Sequence, residues 1–177
     1  MALTLGDPRQ VGYVVSDIEV AMKHWHTRMN IGPWFYKEDI GVTEFSYYGQ
    51  PVDVLPKVSI AIANSGHTQI ELIQLRNDTP SAWSDSLRVN GDGPQHIAYW
   101  TEQYDDVHAE LIAAGLTEAH QGRCGNRGRF SYFVHADVPG SVIELSEYTG
   151  GKRAYFESIA EAARNWDGTD PVRVQSA

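Results

Sequence analysis

Two stretches of this chain follow one plan, and that repetition constrains the fold more than any other feature. Gln10 opens Gln-Val-Gly-Tyr-Val-Val-Ser-Asp and His96 opens His-Ile-Ala-Tyr-Trp-Thr-Glu-Gln, each an apolar run leading into a helix-like segment. Later in each half stands an Ile-Glu-Leu triplet, at 70–72 and at 143–145. The opening marks lie 86 residues apart (10 to 96) and the acidic marks 73 apart (71 to 144), so order is kept while loop length changes. A duplicated module sets equivalent side chains at equivalent points of two stacked units. Gln10, Glu71, His96 and Glu144 are therefore placed to converge on one ion.

The run 11–16 is β-branched and aromatic and reads as a buried strand. Asp17 is the natural cap of the next helix, with Val20, Ala21, Trp25 and Met29 along one stripe and Gly32-Pro33 stopping it. Strands follow at 34–39, 43–48, 57–64 and 68–75, separated by turn residues such as Gly41, Gly49 and Gly66. A short helix runs from Pro80 through Leu87. The second half repeats the scheme with a strand at 95–101 and a helix at 104–114 that turns Val107, Leu111 and Ile112 inward. Strands at 116–120, 130–136 and 142–148 and a last helix at 153–165 complete it, and the polar tail from Asp167 is expected to be loosely held. The fold class is α+β. Two βαβββ modules, about 8–78 and 93–149, form curved mixed sheets around a metal-containing cavity within a single domain spanning 1–177.

Composition narrows the class. With 177 residues, 42% of them hydrophobic, the chain can bury an ordinary core. A net charge of −9 argues against nucleic acid or an anionic membrane as partner. The lone cysteine, Cys124, excludes an internal disulfide and fits a reducing cytoplasm. No apolar run reaches spanning length, and the start lacks the regions of a signal peptide, so a cytoplasmic protein acting on a small molecule is expected.

Taken singly, each candidate residue has a plainer role. A lone Ile-Glu-Leu is the ordinary alternation of a half-exposed strand, and a lone His96 is a satisfied structural histidine. The symmetric order of all four reverses that reading. His24 and His26, two apart on a helix, diverge, and His67 and His135 read as structural. The basic stretch 123–129 suits either an anionic substrate group or a solvated hairpin. Tyr47, Tyr99, Arg127 and Phe133 are the candidates for contact with substrate.

The pattern resembles the vicinal oxygen chelate superfamily, which includes glyoxalase I, methylmalonyl-CoA epimerase, extradiol dioxygenases and bleomycin-resistance proteins. The resemblance spans about 8–149 and is strongest at 10–34, 66–75, 93–115 and 126–148. Gly-Pro-Gln-His-Ile-Ala and Gly-Asn-Arg-Gly-Arg-Phe bring it nearest to the epimerase-like branch. It implies one divalent ion (Zn, Ni, Co, Mn or Mg) held by Gln10, Glu71, His96 and Glu144, a set similar to that of some glyoxalase I enzymes. It further implies an isomerase, epimerase or lyase working through a metal-stabilised enolate on a small substrate with neighbouring oxygens. Glu144 would be the base, and Glu44 in Thr-Glu-Phe-Ser-Tyr-Tyr a second catalytic carboxylate on the opposite substrate face. The alternatives are a glyoxalase I (lactoylglutathione lyase) activity and a resistance-type protein that sequesters ligand without turnover. Extradiol chemistry fits less well, since such iron sites use two histidines and one carboxylate. Relatives often dimerise, so a homodimer is implied too.

Overall fold

A computed structural model describes residues 5–125 and 128–175. Its first half runs β1 (Gln10–Val14), α1 (Ile18–Met29), β2 (Trp34–Lys37), β3 (Val42–Tyr47), β4 (Gln50–Pro51), β5 (Val58–Ser65) and β6 (Thr68–Leu75). After the linking helix α2 (Ala82–Asn90) come β7 (Gly93–Thr101), α3 (Tyr104–Ala113), β8 (Thr117–Cys124), β9 (Arg129–His135) and β10 (Val138–Glu147). Helix α4 (Gly150–Arg164) and the short β11 (Val172–Val174) follow. No helix among the described residues is long and apolar enough to cross a membrane.

The strands make one curved sheet of mixed direction, ordered β11-β2-β5-β6-β1-β7-β10-β9-β8-β3-β4. Within it β2-β5-β6-β1 is the first module and β7-β10-β9-β8 the second, joined where β1 pairs antiparallel with β7. Alternation along the strands sorts the side chains between two faces. Ala61, Ala63, Ile70 and Leu72 pack with Ile18 and Met22 of α1, while Leu145 and Phe133 pack with Tyr104 and Leu111 of α3. The opposite face carries Ile60, Ile62, Glu71, Phe130, Tyr132 and Glu144 and forms the wall of a cavity. Strand β5 is buried from Val58 to Asn64 because α1 covers one face and α4 the other.

Several elements depart from expectation. The 42–47 strand, assigned to the first module, pairs with β8 and extends the far edge of the second. Asp17 does cap α1, accepting from the Val20 N–H at 2.9 Å. Val20 and Met29, however, are 63% and 59% exposed, and the inner stripe is Ile18, Ala21, Met22 and Trp25. Burying Ile18 and Met22 contributes about 2 kcal/mol each. Ile112 on α3 is likewise exposed. The tail is not loose: Val172–Val174 pairs in parallel with β2, anchored by Trp34 N–H to Pro171 carbonyl (2.8 Å) and Gln175 N–H to Tyr36 carbonyl (2.7 Å). An edge strand exposes a row of unpaired backbone groups, and the tail satisfies those of β2.

Candidate metal centre

The β1–β7 seam builds the site. Its two antiparallel strands carry Gly12 opposite His96, and Gln10 opposite Ala98. On the outer sides, β6 sets Glu71 beside Gly12 and β10 sets Glu144 beside Ala98. Two rows result, Glu71–Gly12–His96 and Glu144–Ala98–Gln10, related by the sequence repeat. Each has an acid from a last strand, a small residue at its centre and a polar side chain from the other module's first strand. At Gly12 the small residue is required by space. The Cε1 edge of the His96 imidazole occupies the place of a Gly12 side chain, and a Cβ there would stand 1.8 Å from that carbon.

Glu71, His96 and Glu144 are all buried, and their ligand atoms lie within 4.8 Å of one another. His96 Nε2 is 3.0 Å from Glu144 Oε2 and 3.5 Å from Glu71 Oε2, yet neither approach is aligned as a hydrogen bond. On the ring's other side the Gln95 side-chain oxygen accepts from Nδ1–H at 2.7 Å. That bond orients the ring with Nε2 toward the two carboxylates. A buried imidazole nitrogen between two buried acids, without an aligned hydrogen bond to either, is an arrangement that a cation satisfies. The donor set of carboxylate and imidazole suits a divalent ion.

Protonation follows the same logic. Burial pushes the Glu71 carboxyl well above the usual range, and the charge of Glu144 pushes it further. Burial acts in the same sense on Glu144, but His96, Lys152 and the Tyr132 hydroxyl outweigh it and hold that carboxyl below its ordinary value. Without an ion, then, the proton resides on Glu71 while Glu144 stays ionised. Tyr132 donates to Glu144 Oε2 at 2.9 Å, and burial with the neighbouring acids keeps its own hydroxyl protonated. Gln10 is buried in the same wall, its Nε2 donating to Gln69 Oε1 at 2.6 Å.

The cavity above the seam holds about 400 Å³, within the range of small-ligand sites. Trp83 from α2, Phe35, Phe130, Tyr132 and, from α4, Tyr155 and Phe156 give it largely aromatic walls. Lys152 of α4 also lines it although 5% exposed, donating to Ser146 Oγ (2.7 Å) and the Arg129 carbonyl (3.1 Å). Behind Tyr132, the His120 ring packs at a tilt with 4.3 Å between ring centroids and accepts from the Ala82 N–H at 3.0 Å. Burial lowers its pKa to about 3, so it is neutral.

Of the expected site residues, Gln10, Glu71, His96 and Glu144 are brought together. Glu44 is not. It sits in a bulge of β3, its side chain 71% exposed and its carboxylate 3.1 Å from Arg123 Nε, outside the cavity wall. Phe133 lies in the core beneath α3, and Tyr47 is bonded to Asp85 at 2.7 Å away from the cavity. Tyr99 is also outside the wall, having the opposite strand parity to His96 and Ala98. Arg127 lies outside the described residues. Sequence reasoning missed Gln95, Tyr132 and Lys152. Tyr132 stands one position from Phe133, so strand parity could have found it, whereas Gln95 bonds His96 at a register irregularity of the β1–β7 seam that parity does not reveal.

A model of the glyoxalase/bleomycin resistance protein/dioxygenase superfamily matches residues 9–133. Among solved structures, a methylmalonyl-CoA epimerase from Mycobacterium tuberculosis superposes with a TM-score of 0.58 at 19% identity, covering 87% of this chain and 96% of that one. A hypothetical protein from Bacillus halodurans C-125 gives 0.58 at 16% identity, covering 81% and 95%. A Streptomyces coelicolor methylmalonyl-CoA epimerase variant in complex with 2-nitronate-propionyl-CoA gives 0.51 at 19% identity, covering 81% and 98%. No match was found among curated proteins. The extent of the family match, together with the shared fold, makes this chain a member of the glyoxalase/bleomycin resistance protein/dioxygenase superfamily.

Proposed function

We propose that the protein is a divalent-metal-dependent isomerase, epimerase or lyase that moves a proton on the carbon beside a substrate carbonyl. The observation that carries this reading is the buried Glu71–His96–Glu144 group, with its unpartnered imidazole nitrogen, at the base of a closed-in cavity. Those three residues and Gln10 would hold the ion, with zinc, nickel, cobalt, manganese and magnesium all compatible with the donors. When bound, the ion supplies Lewis acidity to a pair of neighbouring substrate oxygens. Glu144 is the proton acceptor, and the Tyr132 hydroxyl bond orients its Oε2. The aromatic walls exclude water and hold an apolar substrate body over the seam.

A glyoxalase I reaction is a narrower case of the same proton transfer. A resistance-type role without turnover is the reading that the aromatic walls alone would favour. Solvent deuterium separates these. The metal-loaded protein should wash deuterium into the acidic C–H of a branched acyl-CoA, a hydroxy-ketone or a hemithioacetal, and Glu144→Gln should stop it. Tight ligand binding with no exchange into any of the three would leave sequestration as the function.

A further inference from the structure

Lys152 is a cation buried in the cavity wall. Burying an ammonium costs several kcal/mol unless partners compensate it. Its two acceptors, Ser146 Oγ and the Arg129 carbonyl, are neutral, and they use two of its three hydrogens. No carboxylate forms an ion pair with it among the described residues, although its charge reaches both Glu71 and Glu144. Charge counting then becomes informative. Two carboxylates balance a divalent ion, which leaves Lys152 as a surplus positive charge inside a buried cavity. Lys37, in the same wall, adds a second ammonium to an otherwise acidic protein. Away from the two lysines, the carboxylates and Gln10, most of the wall is aliphatic and aromatic.

We infer that the substrate is a small monoanion with an aromatic or alicyclic body, and that Lys152 is the residue that selects its charged oxygen. The inference rests on the divalent-ion reading above, because without the ion the charge of Glu144 itself offsets the ammonium. Helix α4 thus brings a specificity-determining charge to a seam built by the two repeats. Ser146 stands two residues beyond Glu144 on the same face of β10, so the ammonium is held beside the base by that strand.

The probes are mandelate and mandelamide, which share a shape and neighbouring oxygens and differ in charge. Calorimetric titration of the full chain loaded with Zn or Co, with ion content measured on each sample, should show mandelate binding at least ~10-fold more tightly than mandelamide. Lys152→Gln should lose about tenfold in mandelate affinity with little change for mandelamide, and Lys152→Arg should restore most of the loss. Ion content should stay unchanged in both variants. Equal losses for the two probes would make Lys152 a structural residue and overturn the inference. A preference that survives Lys152→Gln but vanishes in Lys37→Gln would overturn it as well. Wild-type protein that takes up no ion would sink the metal reading and this inference together, whereas an intact ion with no charge preference sinks this inference alone.

Discussion

Glu71 and Glu144 occupy the same place in two copies of one module, yet the protein treats them in opposite ways. Both sit in Ile-Glu-Leu on a last strand and both are buried. At Glu71, burial and the charge of Glu144 outweigh Lys152 and hold the carboxyl well above its usual range. Around Glu144 the second half supplies a tyrosine hydroxyl, an imidazole and a lysine, and the carboxyl ionises. The first strands diverge in parallel fashion, with Gly12 making room for a ring where the equivalent Ala98 faces the slimmer Gln10. Duplication gave the backbone its symmetry. The side chains around it then move the two carboxyls in opposite directions, one raised and one lowered.

The largest effect should come from exchanging the two small residues. Gly12→Ala forces a methyl into the His96 ring, and urea denaturation should show a loss of about 3 kcal/mol together with loss of metal uptake. Ala98→Gly, the counterpart swap, should cost about 1 kcal/mol and leave metal uptake intact. Equal penalties would mean that the seam is more symmetric than described.

Next come the acids themselves in metal-free protein. Glu144→Gln removes an ionised acceptor from Tyr132 and should cost about 2 kcal/mol. Glu71→Gln replaces a protonated carboxyl by an amide of the same shape and should cost less than ~1 kcal/mol. Their pH signs differ too. The stabilisation from Glu144, whose carboxyl is lowered in the fold, is present above the ordinary carboxyl range and is lost as pH falls toward its folded value. That from Glu71, whose carboxyl is raised, is present below the ordinary range and is lost as pH rises toward its folded value. Unfolding midpoints of the two variants against pH should therefore flatten opposite sides of the wild-type profile.

Smaller still is Tyr132→Phe, which should lower the exchange rate about tenfold while costing ~1 kcal/mol of stability, since one hydrogen bond to Glu144 is lost. Glu44→Gln should change neither rate nor midpoint, because an exposed ion pair with Arg123 contributes little. A rate collapse in Glu44→Gln would restore it as a second catalytic carboxylate.

What could be read from the sequence follows from which features are local. The repeat of Gln10 with His96 and Glu71 with Glu144 was legible because strand neighbours inherit position from a duplicated backbone. The pairing of β3 with β8 was not, since nothing in 42–47 distinguishes one sheet edge from another. Choosing Phe133 over Tyr132 was an error of one residue, and in a strand one residue changes the face. Lys152 was invisible because its burial depends on where α4 crosses the cavity, and the helix starts at Gly150 rather than at Arg153 as the sequence suggested. The tail looked polar and loose, but its backbone, which composition does not describe, completes the β2 edge.

The most direct test of the central claim is calorimetric titration of chelator-stripped protein with Zn²⁺ or Co²⁺ in two buffers of different ionisation enthalpy. One ion per chain should bind, releasing close to one proton near neutral pH as Glu71 gives way to the cation, and His96→Ala should abolish the tight phase. Saturable binding that ignores His96→Ala, or no binding at all, would contradict the account.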